Sequence, residues 1–176
     1  MTGRLVRGAA RLRRPPSPFE DGFTILELVV VLAIIGLVMS IAAPTFNAAR
    51  ATAQEHAAQA NIRTALVAAN TAYITTPDQS FSFVTPAALA AAEPSLRWAP
   101  SQQTNGAGTI AALNGQVAET GDWALGLAVD AGDGTCWYAF QSDNNSPMYG
   151  WAHKQGGSCD AADAWSAASQ PQPPGD

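Results

Sequence analysis

The sequence predicts an α+β protein in which one long N-terminal helix, apolar in its first half and amphipathic in its second, lies on a small antiparallel β-sheet. Three observations predict it. Residues 23–43 read FTILELVVVLAIIGLVMSIAA, a run of 21 residues with a single charge. Through residues 45–75, Ala58, Ile62, Leu66, Ala69 and Tyr73 recur at spacings of four, four, three and four, an apolar stripe along a helix. From Thr109 the pattern shifts toward a period of two, interrupted by turn residues, as half-buried strands require.

A chain of 176 residues suits one folded domain with extensions. Hydrophobic residues make up 47% and charged residues 13%, about half the charged share of a soluble domain, which argues against a disordered or freely soluble protein. Arg4, Arg7, Arg11, Arg13 and Arg14 are five of the nine bases. From Phe23 onward four bases face twelve acids, and the resulting eight net negative charges repel nucleic-acid phosphate, so the body is not expected to bind DNA or RNA.

At about 1.5 Å per residue, the apolar run is long enough to cross a ~30 Å hydrocarbon layer. Arginines before it and few bases after it place the N-terminus in the cytoplasm and export the body. A secretory signal would have a shorter core followed by a small-residue cleavage site, whereas Ala42-Ala43 runs directly into Pro44 and a further helical pattern. Glu27 argues against a plain anchor, because a carboxylate costs about 2.5–3.5 kcal/mol at the bilayer centre and less near its surface. No base lies between Arg14 and Arg50, so its cation has to come from elsewhere, and a newly made α-amino group could supply it.

The run Gly22-Phe23-Thr24-Ile25-Leu26-Glu27, behind a basic segment and ahead of an apolar one, resembles the prepilin family: the type IV pilins and the pseudopilins of type II secretion. The resemblance covers about residues 20–50 and implies a pilin-like ladle fold. It implies that a membrane aspartyl peptidase cuts between Gly22 and Phe23, that Phe23 is then N-methylated, and that a mature chain of 154 residues retains Glu27. Gly22 would admit the peptidase to its carbonyl because it has no side chain. Glu27 would pair with the Phe23 amine of a neighbouring subunit in a filament core. Breaking one side of such a buried pair costs about 3–5 kcal/mol, enough to set axial register. Gly36 and Pro44 stand where the family commonly has Gly and Pro, and Pro44 should bend or loosen the helix without ending it. Glu20 and Asp21 depart from the base that many members carry before the cut and resemble leaders of some Gram-positive prepilins.

The expected organisation is a cytoplasmic leader over 1–22, a transmembrane or filament-core half-helix over 23–43, an amphipathic half over 44–75, a β-sheet head over 76–160, and an exposed flexible tail over 161–176. Opposite the helix stripe lie Gln54, Glu55, Gln59, Arg63 and Asn70. An independent coiled coil fits less well, since the stripe lacks heptad regularity and is thin in Leu and Ile. One short helix, around Ala87 to Ala92, is expected in the long connector to Gly106. Strands are expected at Thr109 to Leu113, Gln116 to Glu119, Trp123 to Val129, Thr135 to Gln141 and Met148 to His153, with Asp130 to Gly134 as a hairpin turn. Trp123, Leu125, Leu127 and Val129 share one face, as do Cys136, Tyr138 and Phe140, and a sheet laid on the helix stripe would bury both.

Cys136 and Cys159 invite a disulfide in an exported body, where closing the loop would contribute about 3 kcal/mol; two free buried thiols are the alternative. The pair resembles the C-terminal disulfide loop of many type IV pilins. Asp143-Asn144-Asn145-Ser146 has oxygens for Ca²⁺, which some pseudopilins bind, but Asn and Asp also favour tight turns without any ion. His56 and His153 lack partners at metal-ligand spacing, and no phosphate loop, nucleophile elbow or paired catalytic carboxylates occur, so neither an enzyme nor a cofactor or metal is expected. The tryptophans Trp98, Trp123, Trp137, Trp151 and Trp165 are either an adhesive face or packing residues.

What the resemblance implies is a structural subunit of a type IV pilus, used in adhesion, motility or DNA uptake. The first alternative is a pseudopilin of type II secretion, the second a single-span surface protein with a binding head. The implied partners are copies of itself or other pilins, the prepilin peptidase, the membrane and an assembly platform. The implied location is the cytoplasmic membrane as a single-pass precursor, then a surface pilus or periplasmic pseudopilus.

Overall fold

A computed structural model describes residues 22–154 and 157–168. The leader up to Asp21, including Glu20, lies outside the described residues, as do Gly156 and the tail after Ala168. The chain divides after Pro44 into two compact units. In the first, residues 22–24 have no regular structure and helix α1 (Ile25–Thr75) begins. Every residue from 22 to 44 is exposed. Among the described residues, α1 is the one helix long and apolar enough to cross a membrane. The helix continues through Pro44 into the second unit.

In the second unit α1 is rich in Ala, the strongest helix former. Ala58, Ile62, Ala65, Leu66, Ala68, Ala69 and Ala72 are buried and Tyr73 is half-buried, so the buried face contains the predicted stripe and is widened by three further alanines. Gln54, Glu55, Gln59, Arg63 and Asn70 flank this face and do not lie opposite it, each half-buried. The outermost line is Ala53, Ala57, Ala60, Thr64, Val67, Thr71 and Ile74, all exposed and uncharged, at alternating steps of four and three. Thr64 and Thr71 donate their hydroxyls to the carbonyls of Ala60 and Val67, so these hydroxyls are bonded within the helix.

After α1 come a 3-10 turn (Phe81–Phe83), helix α2 (Pro86–Ala92) and a short strand β1 (Arg97–Trp98). The Thr85 hydroxyl caps α2 by accepting from the Ala88 N–H, and Pro86 fits the first turn, where its missing N–H costs nothing. Four strands follow: β2 (Thr109–Gln116), β3 (Trp123–Asp130), β4 (Thr135–Ser142) and β5 (Met148–His153). They make one sheet in sequence order, antiparallel except for the parallel β1–β2 pair. The strand expected over Gln116 to Glu119 does not form. Gly115 and Gln116 extend β2, and the chain turns at once, with Val117 N–H donating to the Asp122 carbonyl and Gly121 at φ 75°. Gly132 and Gly134 take positive φ in the β3–β4 turn. There the Asp133 carboxyl lies below its ordinary value: partial desolvation raises it, but hydrogen bonds from Thr135 and the charge of His153 outweigh that.

Alternation along the strands sorts the sheet into two faces. Ile110, Ala112, Leu125, Leu127, Val129, Trp137, Ala139 and Tyr149 pack with the helix stripe, joined by Phe81, Val84 and Leu89 of the connector. Cys136, Tyr138 and Phe140 share a face as expected, but it is the other one. With Ala111 and Ala128 they pack against the C-terminal segment, a 3-10 turn (Ala161–Asp163) and a one-turn helix α3 (Ala164–Ala167). The expectation of a flexible tail from residue 161 is therefore corrected for Ala161–Ala168, where Ala161, Ala164 and Ala168 are buried.

The strand glycines explain the fit. A Cβ on Gly126 would stand 2.6 Å from the Ala161 carbonyl oxygen and against the Trp165 ring. One on Gly150 would stand 2.9 Å from the Ala168 Cα, and one on Gly115 3.3 Å from Trp165. These three positions floor a groove that the C-terminal strap fills. Lys154 forms an ion pair with Asp163, and the Ala161 N–H donates to the Gln102 carbonyl. Burial pushes the Tyr138 phenol well above its ordinary value, with the nearby Asp163 and Asp160 charges adding to the shift.

Candidate functional site

Gly22, Phe23 and Thr24 are exposed and non-helical, so the Gly22–Phe23 bond lies in open chain two residues before α1 begins. A Cβ at Gly22 would meet nothing within 4 Å, and neither would one at Gly36. The chain's own described packing therefore does not demand glycine at either position. Pro44 stands inside α1.

Thr24 and Glu27 bind each other. The Thr24 N–H and hydroxyl donate to Glu27 Oε2 at 3.0 and 2.9 Å, and the Glu27 N–H donates to Thr24 Oγ1 at 3.2 Å. This reciprocal arrangement satisfies amide groups that a helix start leaves without helical partners. The signal was legible as Thr-x-x-Glu ahead of an apolar run, the pattern of a capping box.

In the second unit Cys136 and Cys159 are joined in a disulfide, with Cα atoms 5.6 Å apart. It ties the start of β4 to the residue preceding the strap, where Cys159 N–H also donates to Thr104 Oγ1 at 2.8 Å. The Asp143 carboxylate accepts from Ser80 Oγ and Phe81 N–H, each at 2.9 Å, and the Asn144 and Asn145 amides donate to Asp122 and Ser142. Asp143 thereby pins this turn to the connector, and Asn144 ties it to the turn between β2 and β3. Among the described residues, no group of three or more His, Cys, Asp or Glu is placed to hold a metal. The tryptophans do not share one surface. Trp137 is buried, Trp98 and Trp123 pack on the core, Trp165 sits in the strap, and Trp151 is exposed on β5.

A family model described as the prokaryotic N-terminal methylation motif matches residues 20–43. The chain carries the prepilin-type cleavage and methylation signal, which supports a protein of the type IV pilin or pseudopilin class, a class of structural subunits. The α+β layout of the chain is like that of pilins, and the signal together with the apolar N-terminal helix fits a membrane-anchored precursor. No curated protein and no solved structure matches the chain.

Proposed function

We propose that this protein is a structural subunit of a type IV pilus, cut by a prepilin peptidase and assembled through its N-terminal helix. The observation that carries the reading is the methylation motif over residues 20–43, set at the start of α1. In this reading the peptidase cuts between Gly22 and Phe23, Phe23 is N-methylated, and Glu27 pairs with the Phe23 amine of the next copy. Gly36 and Pro44 let the helix flex as subunits pack. Residues 1–22 are the leader, 23–43 the membrane and filament-core segment, and the head begins after residue 75. The uncharged outer line from Ala53 to Ile74 supports helix-to-helix contact between copies. The Cys136–Cys159 pair favours a pilin over a pseudopilin.

Mass spectrometry of sheared surface filaments tests the reading. The expected subunit begins at a methylated Phe23, and Glu27→Ala is cut but absent from the filaments. A subunit found only in envelope-bound assemblies would make it a pseudopilin. A mature chain that still begins at Met1 would make it an anchored surface protein.

A further inference from the structure

We propose that residues 170–174 of one copy add as an extended segment to the open edge of β2 in a neighbouring copy. This goes beyond the reading of the protein as a filament subunit and rests on it, since the filament brings the copies together. β1 covers the outer edge of β2 only at Thr109 and Ile110. The Ala99 N–H still donates to the Ile110 carbonyl, but Pro100 follows with no N–H to give, and the ladder stops. Alternation turns the backbone N–H and C=O of Ala112 and Asn114 to the same side as those of Ile110, away from β3, where no strand of the sheet lies beside them. A groove of about 470 Å³ lies there, lined among others by Val84, Pro86, Pro100 and Leu113. The Asn114 amide donates to the Phe81 and Ser82 carbonyls and so fastens the connector as one wall. An uncovered edge beside an apolar groove is a place for an added strand.

The sequence supplies a segment that suits it. Gln170-Pro171-Gln172-Pro173-Pro174 is uncharged, as are the groove residues just named. Successive residues in a strand send their N–H groups to opposite edges, so Gln170 and Gln172 can donate to β2 while Pro171 and Pro173, which have no N–H, face outward. The proline after each glutamine also biases it toward extended backbone, which lowers the cost of ordering the segment. The donor is another copy. A Cβ on Gly150 would stand 2.9 Å from the Ala168 Cα, so the described strap ends over β5. Gly150, Tyr138, Ala128 and Ala111 stand in one row across the sheet, and a strand added beyond β2 lies four strand spacings, about 19 Å, from Gly150. Gln170 and Gln172 come two and four residues after Ala168, a reach of at most about 7 and 14 Å. They fall short of β2 in their own chain. Each copy therefore gives a tail at one edge of its sheet and takes one at the other, a contact that repeats without closing.

The test uses filaments sheared from cells that make two full-length chains together, Gln102→Cys and Gln172→Cys, treated with a short bismaleimide. Gln102 lines the groove and is exposed, and both changes keep the backbone N–H. A covalent dimer is expected from the mixed filaments and not from filaments of either chain alone. A chain carrying both changes should give a ladder of multimers. Gln170→Pro, added to the Gln172→Cys chain, removes an N–H that faces β2 and should lower the dimer yield about fivefold, while Gln170→Ala keeps that N–H and should hold the yield within about twofold. Mixed filaments without the dimer, a doubly changed chain that only closes on itself, or equal yields from Gln170→Pro and Gln170→Ala overturn the docking. Filaments that form normally but give no dimer remove the tail contact alone; if the unsubstituted subunit enters no filament, the filament reading falls and the docking with it.

Discussion

Trp165 meets Phe140 edge-on, ring centroids 5.4 Å apart, on the face of the sheet turned away from α1. This contact anchors a segment that the sequence places among small, turn-prone residues. The ring lies where β2 and β3 carry Gly115 and Gly126 in place of side chains.

Gly126→Val should therefore expel the strap or strain the sheet. An added side chain in a filled site costs about 1–3 kcal/mol, and here one of the atoms it meets is backbone, which cannot rotate aside. Thermal unfolding of the exported head should show a lowered midpoint, and Trp165 emission should shift toward that of solvated indole. Unchanged emission would mean that the groove tolerates the branch.

Reduction of the Cys136–Cys159 bond should destabilise the head by about 2–5 kcal/mol, and Cys136→Ser should do the same. Limited proteolysis with and without a dithiol reductant reads this directly. Faster cutting after about residue 154 is expected in the reduced protein, because the strap then rests on packing, the Lys154–Asp163 pair and a few hydrogen bonds to residues 102–104.

Stability should fall above pH ~10 through Tyr138. Its phenol is held neutral in the fold by burial and by Asp163 and Asp160, so its pKa is raised relative to the unfolded chain. The stabilisation is fully present below the unfolded value and is lost as pH rises past it, because the unfolded state gives up a proton that the folded state keeps. Tyr138→Phe should flatten this alkaline decline in denaturant titrations, while changing stability at pH 7 by about 1 kcal/mol or less.

Val67→Glu should leave the head folded, since Val67 is 65% exposed and such surface changes usually fall within about 0.5 kcal/mol. Its effect should appear in assembly, where a charge in the outer line of α1 meets a neighbouring helix. Filament yield should drop severalfold with an unchanged melting temperature, and equal yield would remove that line from the interface.

The helix, its stripe and four of the strands were legible because side-chain period reports directly on which face is buried. Leu125, Leu127 and Val129 could be read as one face for that reason. The strand expected at Gln116 to Glu119 does not form: Gly115 and Gln116 continue β2, where the glycine leaves room for Trp165. The role of the strap was not legible. Period alone does not say which side of a sheet a helix covers, and the glycines that admit the strap come from three different strands. At the N-terminus the motif residues could be named from sequence, while the grip of Thr24 on Glu27 emerged from the hydrogen bonds.

Lys154 is the only lysine in the chain, and its ammonium is committed to Asp163. A fluorophore or biotin attached to Lys154 through amine-reactive chemistry would neutralise that ammonium, so labelling subunits at this side chain would also loosen the C-terminus it was meant to report on. A tag for imaging such fibres belongs on an engineered thiol or a peptide handle far from β5.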